Sequence, residues 1–161
     1  MPREILVRVA DLKVGSADDV LVTLGLGSCV AILLYDARVK VGGMAHILLP
    51  SRSLTRQSDN LAKFPQTAVP ALLTEMALRG ADPLRLTARL VGGASMFASL
   101  APRGSIQMGE RNLVASREIL STQGIPLIGQ AVGGDFGRSV WFRVGDGKIE
   151  IRSVMHGDQL L

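Results

Sequence analysis

Residues 29–50 read CVAILLYDARVKVGGMAHILLP, and this stretch predicts two adjacent strands joined by a short turn. The segments Cys29–Tyr35 and Val39–Leu49 are rich in β-branched and large apolar residues, which favour strands. Between them, Asp36-Ala37-Arg38 provides a polar turn. We therefore expect an antiparallel hairpin in which alternate side chains point to opposite faces.

The rest of the chain predicts further strands and two helices. Each helix is followed by a glycine, a strand and the sequence Val-Gly-Gly, which indicates an internal duplication. We expect an α+β fold with mixed, largely antiparallel β-sheets flanked by two main helices, and one domain over residues 1–161. The predicted strands are Glu4–Val9, Val20–Leu24, Leu84–Val91, Ile125–Val132, Ser139–Val144 and Lys148–Met155, and the predicted helices are Gln66–Arg79 and Glu110–Gln123.

The composition is typical of a protein from a reducing compartment. The chain has a single cysteine, which excludes an intramolecular disulfide, and its apolar runs are too short to span a bilayer. The first residues lack the apolar core of a signal peptide, so we expect a cytoplasmic location and no membrane insertion. The net charge of +4 favours acidic protein surfaces over nucleic acid, because the basic residues are scattered and the few aromatic residues form no stacking platform.

Cys29 is the only thiol in the chain and the strongest candidate for chemistry. It follows Gly25-Leu26-Gly27-Ser28, where small residues leave backbone N–H groups free to face an anion. Such groups stabilise an oxyanion and also favour a thiolate. We therefore predict that Gly25, Gly27 and Ser28 form an oxyanion or substrate loop beside a nucleophilic Cys29. The alternative is a buried cysteine that acts as a small hydrophobic side chain.

His46 is the predicted base. A turn at residues 36–39 would set His46 directly opposite Cys29 in the hairpin, with Cβ atoms about 5 Å apart. Gly43 and the glycine before it would clear space for the substrate backbone. A cysteine–histidine pair needs a third group to orient the imidazole, and Thr23 could do so through its hydroxyl or its carbonyl. The alternative for Thr23 is a residue whose only role is to favour a strand, and the alternative for His46 is a histidine that is simply hydrogen-bonded within its strand.

Other kinds of site lack the residues that they need. A structural zinc site takes four cysteine or histidine ligands, whereas the chain has one cysteine and two histidines. The loop at Gly25–Gly27 lacks the third glycine of a dinucleotide-binding loop, and the chain has neither a phosphate-binding loop nor a Gly-x-Ser-x-Gly elbow. We therefore expect neither a cofactor nor a metal, and we expect His156 to be solvent-exposed.

Two motifs together resemble the CheD family of chemoreceptor glutamine deamidases: TLGLGSCVA at residues 23–31 and GGMAHILLP at residues 42–50. The likeness covers most of the chain. It departs from the family where Phe64-Pro65-Gln66 follows Lys63 in place of a tyrosine and an acidic residue, and at Ala131, near where an aspartate is common. The likeness continues through GGASMF at 92–97, GERN at 109–112 and GGDFGR at 133–138.

This resemblance implies an enzyme that converts glutamine side chains of chemotaxis receptors to glutamate through a cysteine thioester. It implies that the family's catalytic Cys, His and Thr correspond to Cys29, His46 and Thr23. The implied fold is a layered sandwich with an internal duplication, similar to the catalytic domain of cytotoxic necrotizing factor toxins. The implied partners are the cytoplasmic helices of methyl-accepting chemotaxis receptors and the CheC phosphatase. Two alternatives stay open: an adaptor that acts mainly by binding CheC or receptors, and a transglutaminase in which an amine replaces water at the thioester.

Overall fold

The computed structural model describes residues 2–57 and 59–161, except for the side chain of Ala98. In this part of the chain, five strands precede a helix, a strand and a second helix, and four strands follow. None of the helices described is long and apolar enough to cross a membrane. The helices are α1 (Pro65–Ala77) and α2 (Met108–Thr122), and the strands are β1 (Arg3–Leu6), β2 (Leu12–Gly15), β3 (Asp19–Leu26), β4 (Val30–Asp36), β5 (Val41–Ile47), β6 (Thr87–Gly92), β7 (Leu127–Val132), β8 (Arg138–Arg143), β9 (Ile149–Ser153) and β10 (Gly157–Leu160).

The strands form two five-stranded sheets that pack face to face. The first sheet has the order β1-β3-β8-β9-β10, and the second has the order β2-β5-β4-β6-β7. Among the described strands, β1–β3 and β6–β7 pair in parallel and the other pairs are antiparallel. Helices α1 and α2 pack on the second sheet, on the side away from the first. The predicted α+β class, with mixed and largely antiparallel sheets in a layered sandwich, is confirmed.

Strand alternation divides the side chains of β4 between two cores. Ala31 and Leu33 pack in the layer between the two sheets. Ile32 and Leu34 pack against the helices on the other side. Because the second sheet is buried on both faces, β4 is apolar at almost every position, as the continuous apolar run in the sequence indicated.

The β4–β5 hairpin forms as predicted, but its register differs from the expected one by two residues. Asp36 pairs with Val41, so the turn is the four-residue segment 37–40, in which Lys40 has the left-handed φ of 53°. The fully buried carboxylate of Asp36 holds this geometry by accepting hydrogen bonds from the backbone N–H of Arg38 at 3.0 Å and from the guanidinium of Arg85. Burial alone would raise the pKa of Asp36, but these hydrogen bonds lower it below its ordinary value.

The predicted duplication is visible as two adjacent helix–strand units. In each unit a helix is followed by a strand, α1 by β6 and α2 by β7, and the two strands pair in parallel. Each strand runs into a glycine pair with left-handed φ angles, 108° and 68° at Gly92 and Gly93, and 78° and 71° at Gly133 and Gly134. Residues other than glycine rarely adopt these backbone angles, so the glycine pairs turn the chain sharply at equivalent ends of the two strands.

Strand β3 continues two residues beyond the predicted end at Leu24. Its pairing with β8 shifts between Thr23 and Leu26, where β3 has one more residue than its partner, and Gly25 adopts a left-handed φ of 66°. This bulge turns both Thr23 and Leu26 toward the interior, although a regular strand would point them to opposite faces. Strands β2 and β10 were not predicted, because each is only four residues long and contains at most two large apolar residues.

Candidate active site

The three predicted catalytic side chains lie in the layer between the two sheets. Thr23 comes from β3 of the first sheet, and His46 comes from β5 of the second. Cys29 lies one residue before β4 and packs with the same inter-sheet core as Ala31 and Leu33. The prediction that Cys29 and His46 share a face is therefore confirmed, because the two-residue period of a strand is unaffected by a register difference of two.

Thr23 contacts His46 through its hydroxyl and not through its carbonyl. Thr23 Oγ1 lies 2.7 Å from His46 Nδ1 and 2.6 Å from the carbonyl oxygen of Val7. A threonine hydroxyl has one proton, and the carbonyl can only accept, so the hydroxyl donates to Val7. His46 Nδ1 must then be the donor to Thr23 Oγ1. This chain of donors fixes the neutral tautomer of His46 with the proton on Nδ1 and a free lone pair on Nε2.

The free nitrogen of His46 is buried and unpaired. The side chain is 1% exposed, and Nε2 has no hydrogen-bond partner among the described residues. Burial lowers the pKa of His46 below its ordinary value of 6.5, because a charged imidazolium loses hydration in the interior. At neutral pH the imidazole is therefore uncharged, and its one open position is an acceptor. A buried acceptor without a donor is the arrangement that a general base requires.

Cys29 is a diagonal neighbour of His46 and does not lie directly opposite it. The residue opposite His46 is Ala31, so the expected direct pairing was wrong by two residues. Diagonal neighbours are separated by about 7–8 Å, compared with about 5 Å for direct partners. Since Nε2 has no partner in the described structure, the thiol and the imidazole share one layer but are not hydrogen-bonded.

The thiol is half-buried and uncharged in the free protein. Burial raises the pKa of Cys29 above its ordinary value of 9.0. Loss of hydration on burial thus disfavours the thiolate in the free protein. A neutral thiol beside a neutral imidazole can still react if the proton moves to Nε2 as the sulfur attacks.

The loop before Cys29 is held by its carbonyl groups. The backbone N–H of Ala94 donates to Gly27 O at 2.8 Å, and that of Gly93 donates to Cys29 O at 2.8 Å. Neither Ser28 nor Cys29 donates its own N–H to a backbone carbonyl within the described residues. The carbonyls are thus tied to the glycine turn after β6, while two adjacent N–H groups remain available to a developing oxyanion.

Two of the predicted loop residues, Gly25 and Gly27, have clear local roles. Gly25 provides the left-handed conformation of the bulge, and its N–H donates to the hydroxyl of Ser139 at 3.1 Å. A Cβ at Gly27 would lie 3.1 Å from the sulfur of Met96, so glycine permits close contact between the loop and the segment after β6.

Gly43 does not clear space for a substrate. It is buried, and a Cβ there would lie 2.9 Å from the sulfur of Met76 and 3.0 Å from a methyl group of Leu72, both in α1. Since alternate residues of β5 face opposite ways, Gly43 faces the helices while His46 faces the first sheet. The prediction for Gly43 was therefore wrong, and its small size serves the packing of α1 on the sheet.

Two contributors to the site were missed by the sequence analysis. One is the carbonyl of Val7, which fixes the direction of the Thr23 hydroxyl and, as a backbone group, leaves no signal in the sequence. The other is Asn112 of α2, whose side chain donates to the carbonyl of Ser28. An asparagine among the buried positions of a predicted helix is a signal that could have found it, because a buried amide needs partners. The second histidine, His156, is exposed as expected.

The chain has distant likenesses among solved structures. A Neisseria meningitidis protein of the DUF152 family is 12% identical with a TM-score of 0.47, and the match covers 83% of this chain and 63% of that one. The Bacillus licheniformis protein YfiH is 15% identical with a TM-score of 0.41, over 71% of this chain and 46% of that one.

The likeness to curated proteins is much closer. A relative from Geobacter metallireducens, described as a probable chemoreceptor glutamine deamidase CheD 2, is 44% identical over 96% of each chain. Relatives described as probable chemoreceptor glutamine deamidase CheD are 41% identical in Caldanaerobacter subterraneus, over 94% of this chain and 93% of that one, and 38% identical in Syntrophomonas wolfei, over the whole of both chains. The family model for CheD chemotactic sensory transduction matches residues 48–153. On these matches, the chain belongs to the CheD family.

Proposed function

We propose that this protein is a chemoreceptor glutamine deamidase in which Cys29 is the nucleophile, His46 the general base and Thr23 the residue that orients His46. The observation that carries the proposal is the hydrogen-bond chain from His46 Nδ1 through Thr23 Oγ1 to the Val7 carbonyl. This chain leaves Nε2 as a buried acceptor that has no partner among the described residues, in the layer that also contains Cys29. The printed description of the relatives as glutamine deamidases supports the same reaction.

In the first half of the proposed reaction, Cys29 Sγ attacks the side-chain carboxamide carbon of a receptor glutamine. The thiol proton moves to His46 Nε2 as the carbon–sulfur bond forms. The carbonyl oxygen becomes an oxyanion, which accepts hydrogen bonds from the N–H groups of Ser28 and Cys29. The imidazolium then returns its proton to the nitrogen of the substrate, the carbon–nitrogen bond breaks, and ammonia leaves. A thioester between Cys29 and the former glutamine remains.

In the second half, water replaces ammonia. His46 Nε2 takes a proton from the water as it attacks the thioester, and the returning proton converts the departing sulfur to a thiol. One water is consumed, one ammonia is released, and the product is a glutamate with one additional negative charge at neutral pH. An amine in place of water would give transglutamination, so the accessibility of the thioester to amines distinguishes the two outcomes.

The location and partners belong to the same proposal. A cytoplasmic setting suits an enzyme that depends on one free thiol, because the compartment is reducing. The net charge of +4 favours acidic partner surfaces, both on receptor helices and on the CheC phosphatase. Measuring CheC binding at low and high salt tests this part separately, and binding that salt leaves unchanged would contradict it.

The central test is deamidation of purified receptor cytoplasmic fragments, followed by mass spectrometry of peptides that gain 1 Da. Wild-type protein should convert specific glutamines, and Cys29→Ala should convert none while melting at nearly the same temperature. His46→Ala should lose activity as well, whereas His156→Ala, which alters the only other histidine, should retain it. Conversion by Cys29→Ala at the wild-type rate would refute the proposed nucleophile. Incorporation of added methylamine in place of the 1 Da gain would instead favour the transglutaminase.

A further inference from the structure

Every carbonyl in the segment Gly27–Cys29 accepts a hydrogen bond, and one of the three donors is a side chain. Backbone N–H groups hold the carbonyls of Gly27 and Cys29. The carbonyl of Ser28 accepts from Asn112 Nδ2 at 2.9 Å. Asn112 lies 84 residues from Ser28, in the second turn of α2, so this contact depends entirely on how α2 packs on the second sheet.

The same nitrogen of Asn112 also holds the strand that carries His46. Asn112 Nδ2 donates to the carbonyl of Leu48 at 3.2 Å. The β4–β5 ladder ends with Val30 opposite Ile47, so Leu48 lies immediately beyond the last ladder pair. One amide therefore joins the chain before Cys29 to the chain after His46, at the point where the ladder no longer holds them together.

The approach of α2 to this position is set by a glycine. A Cβ at Gly109 would lie 2.6 Å from the carbonyl oxygen of Gly93, so a larger residue would push the first turn of α2 away from the glycine turn. Gly109 and Asn112 are three residues apart and lie on the same side of the helix. The close contact at Gly109 thus brings Asn112 within hydrogen-bond distance of both carbonyls.

Burying Asn112 leaves its amide oxygen without a partner among the described residues, which costs free energy. The side chain is fully buried, and Oδ1 has no partner among the described residues. The orientation of the amide is clear, because the opposite one would set Oδ1 against two carbonyl oxygens. An apolar side chain of similar volume would avoid this unpaired oxygen, but it would leave the carbonyls of Ser28 and Leu48 without the donor that joins them.

We infer that Asn112 is a positioning residue, which sets the distance and direction between Cys29 and His46 by holding the carbonyls of Ser28 and Leu48 together. Tying back the Ser28 carbonyl also directs the N–H of Cys29 toward the substrate side of the same peptide group. The inference rests on the proposed function for its catalytic consequence, although the positioning itself is a property of the free protein. Asn112 acts through the backbone and does not touch the reacting atoms.

The test uses Asn112→Asp, which keeps the size of the side chain and replaces the donating nitrogen with an acceptor oxygen. Asn112→Ala is the second variant, since it introduces no charge if the buried carboxyl prevents folding. The matched control is Ser116→Ala, one turn along α2, which removes a fully buried side-chain hydrogen bond to the carbonyl of Asn112 but no bond to the site. Tm is measured for each variant, and activity is measured well below the lowest Tm.

Both Asn112 variants should lower kcat for glutamine deamidation by about 10- to 100-fold with KM changed less than twofold, because misplacement of reacting groups by about 1 Å has costs of this size. Iodoacetamide should alkylate Cys29 at pH 8 several times faster in these variants than in Ser116→Ala, because the loop before the thiol is released. Wild-type values of kcat and of alkylation rate in the Asn112 variants would overturn the inference, and so would a change in only one of them.

The two readouts also separate this inference from the proposed function. If the wild-type protein releases no ammonia from receptor fragments, the proposed function fails, and the alkylation rates alone decide whether Asn112 positions Cys29. If the wild type deamidates receptors and Cys29→Ala does not, the function stands, and only the Asn112 variants decide the inference. A lower Tm with unchanged kcat and alkylation rate would assign Asn112 a purely structural role and overturn it.

Discussion

Replacing Thr23 with valine removes one hydroxyl while keeping the shape of a fully buried side chain. Two hydrogen bonds are lost, one to the Val7 carbonyl and one from His46 Nδ1. The Val7 carbonyl and His46 Nδ1 are each left buried without a partner, at a cost of about 1–3 kcal/mol each, so we expect the free energy of unfolding to fall by about 2–6 kcal/mol. For a domain of this size that corresponds to a decrease in Tm of about 4–24 °C.

The catalytic effect of Thr23→Val follows from the tautomer of His46. Without an acceptor at Nδ1, the imidazole loses about 1–3 kcal/mol of preference for the form with a free Nε2. The tautomer with the proton on Nε2 cannot take the proton of Cys29. The same free-energy difference, added to the activation barrier, lowers kcat by about 5- to 150-fold.

The assay compares Thr23→Val with Thr23→Ser at 25 °C, by ammonia release from receptor fragments and by mass shifts of the modified peptides. Thr23→Ser retains the hydroxyl and should keep most of the wild-type kcat, although it loses a buried methyl group. Thermal melts of both variants separate activity from stability. Wild-type kcat in a folded Thr23→Val protein would refute the reasoning and leave Thr23 as a residue that only favours the strand.

Two further predictions concern the titration of Cys29 and His46 and the packing of Gly43. Since burial raises the pKa of Cys29, alkylation of Cys29 by iodoacetamide should stay slow at pH 7 and should rise with pH through and beyond 9. Since burial lowers the pKa of His46, the acid limb of the pH profile of kcat/KM should have its midpoint below 6.5. Fast alkylation that levels off below pH 7.5 would contradict the inference that the Cys29 thiol and the His46 imidazole are both uncharged. Gly43→Ala should lower the free energy of unfolding by about 1–3 kcal/mol in urea denaturation, because the added methyl group contacts Met76 and Leu72, while kcat stays at the wild-type value. Unchanged stability with reduced kcat would instead support the original prediction that Gly43 clears space for the substrate.

The features that depend on local geometry could be predicted from the amino-acid sequence. The two-residue period of a strand placed Cys29 and His46 on one face whether the four-residue turn began at residue 36 or at residue 37, because that change moves the partner of His46 by two residues. The glycine pairs at residues 92–93 and 133–134 marked sharp turns because only glycine adopts their backbone angles readily. The repeated helix–strand order predicted the duplication, since each unit carries its own periodicity and stop signals.

The features that depend on residues distant in sequence could not be predicted, because long-range packing sets them. The observed register of the β4–β5 hairpin places Asp36 in hydrogen-bond contact with Arg85, which lies 49 residues away, and no pattern within the hairpin reports that contact. The direction of the Thr23 hydroxyl depends on a carbonyl of the segment after β1, and a backbone carbonyl has no residue-specific signature. Gly43 was assigned to the wrong face because the sequence does not reveal which side of a sheet buried on both faces meets the helices. Asn112 reaches the site only through the close packing of α2. Local sequence therefore predicts the strands and the candidate residues, whereas long-range packing sets the geometry that makes these residues a site.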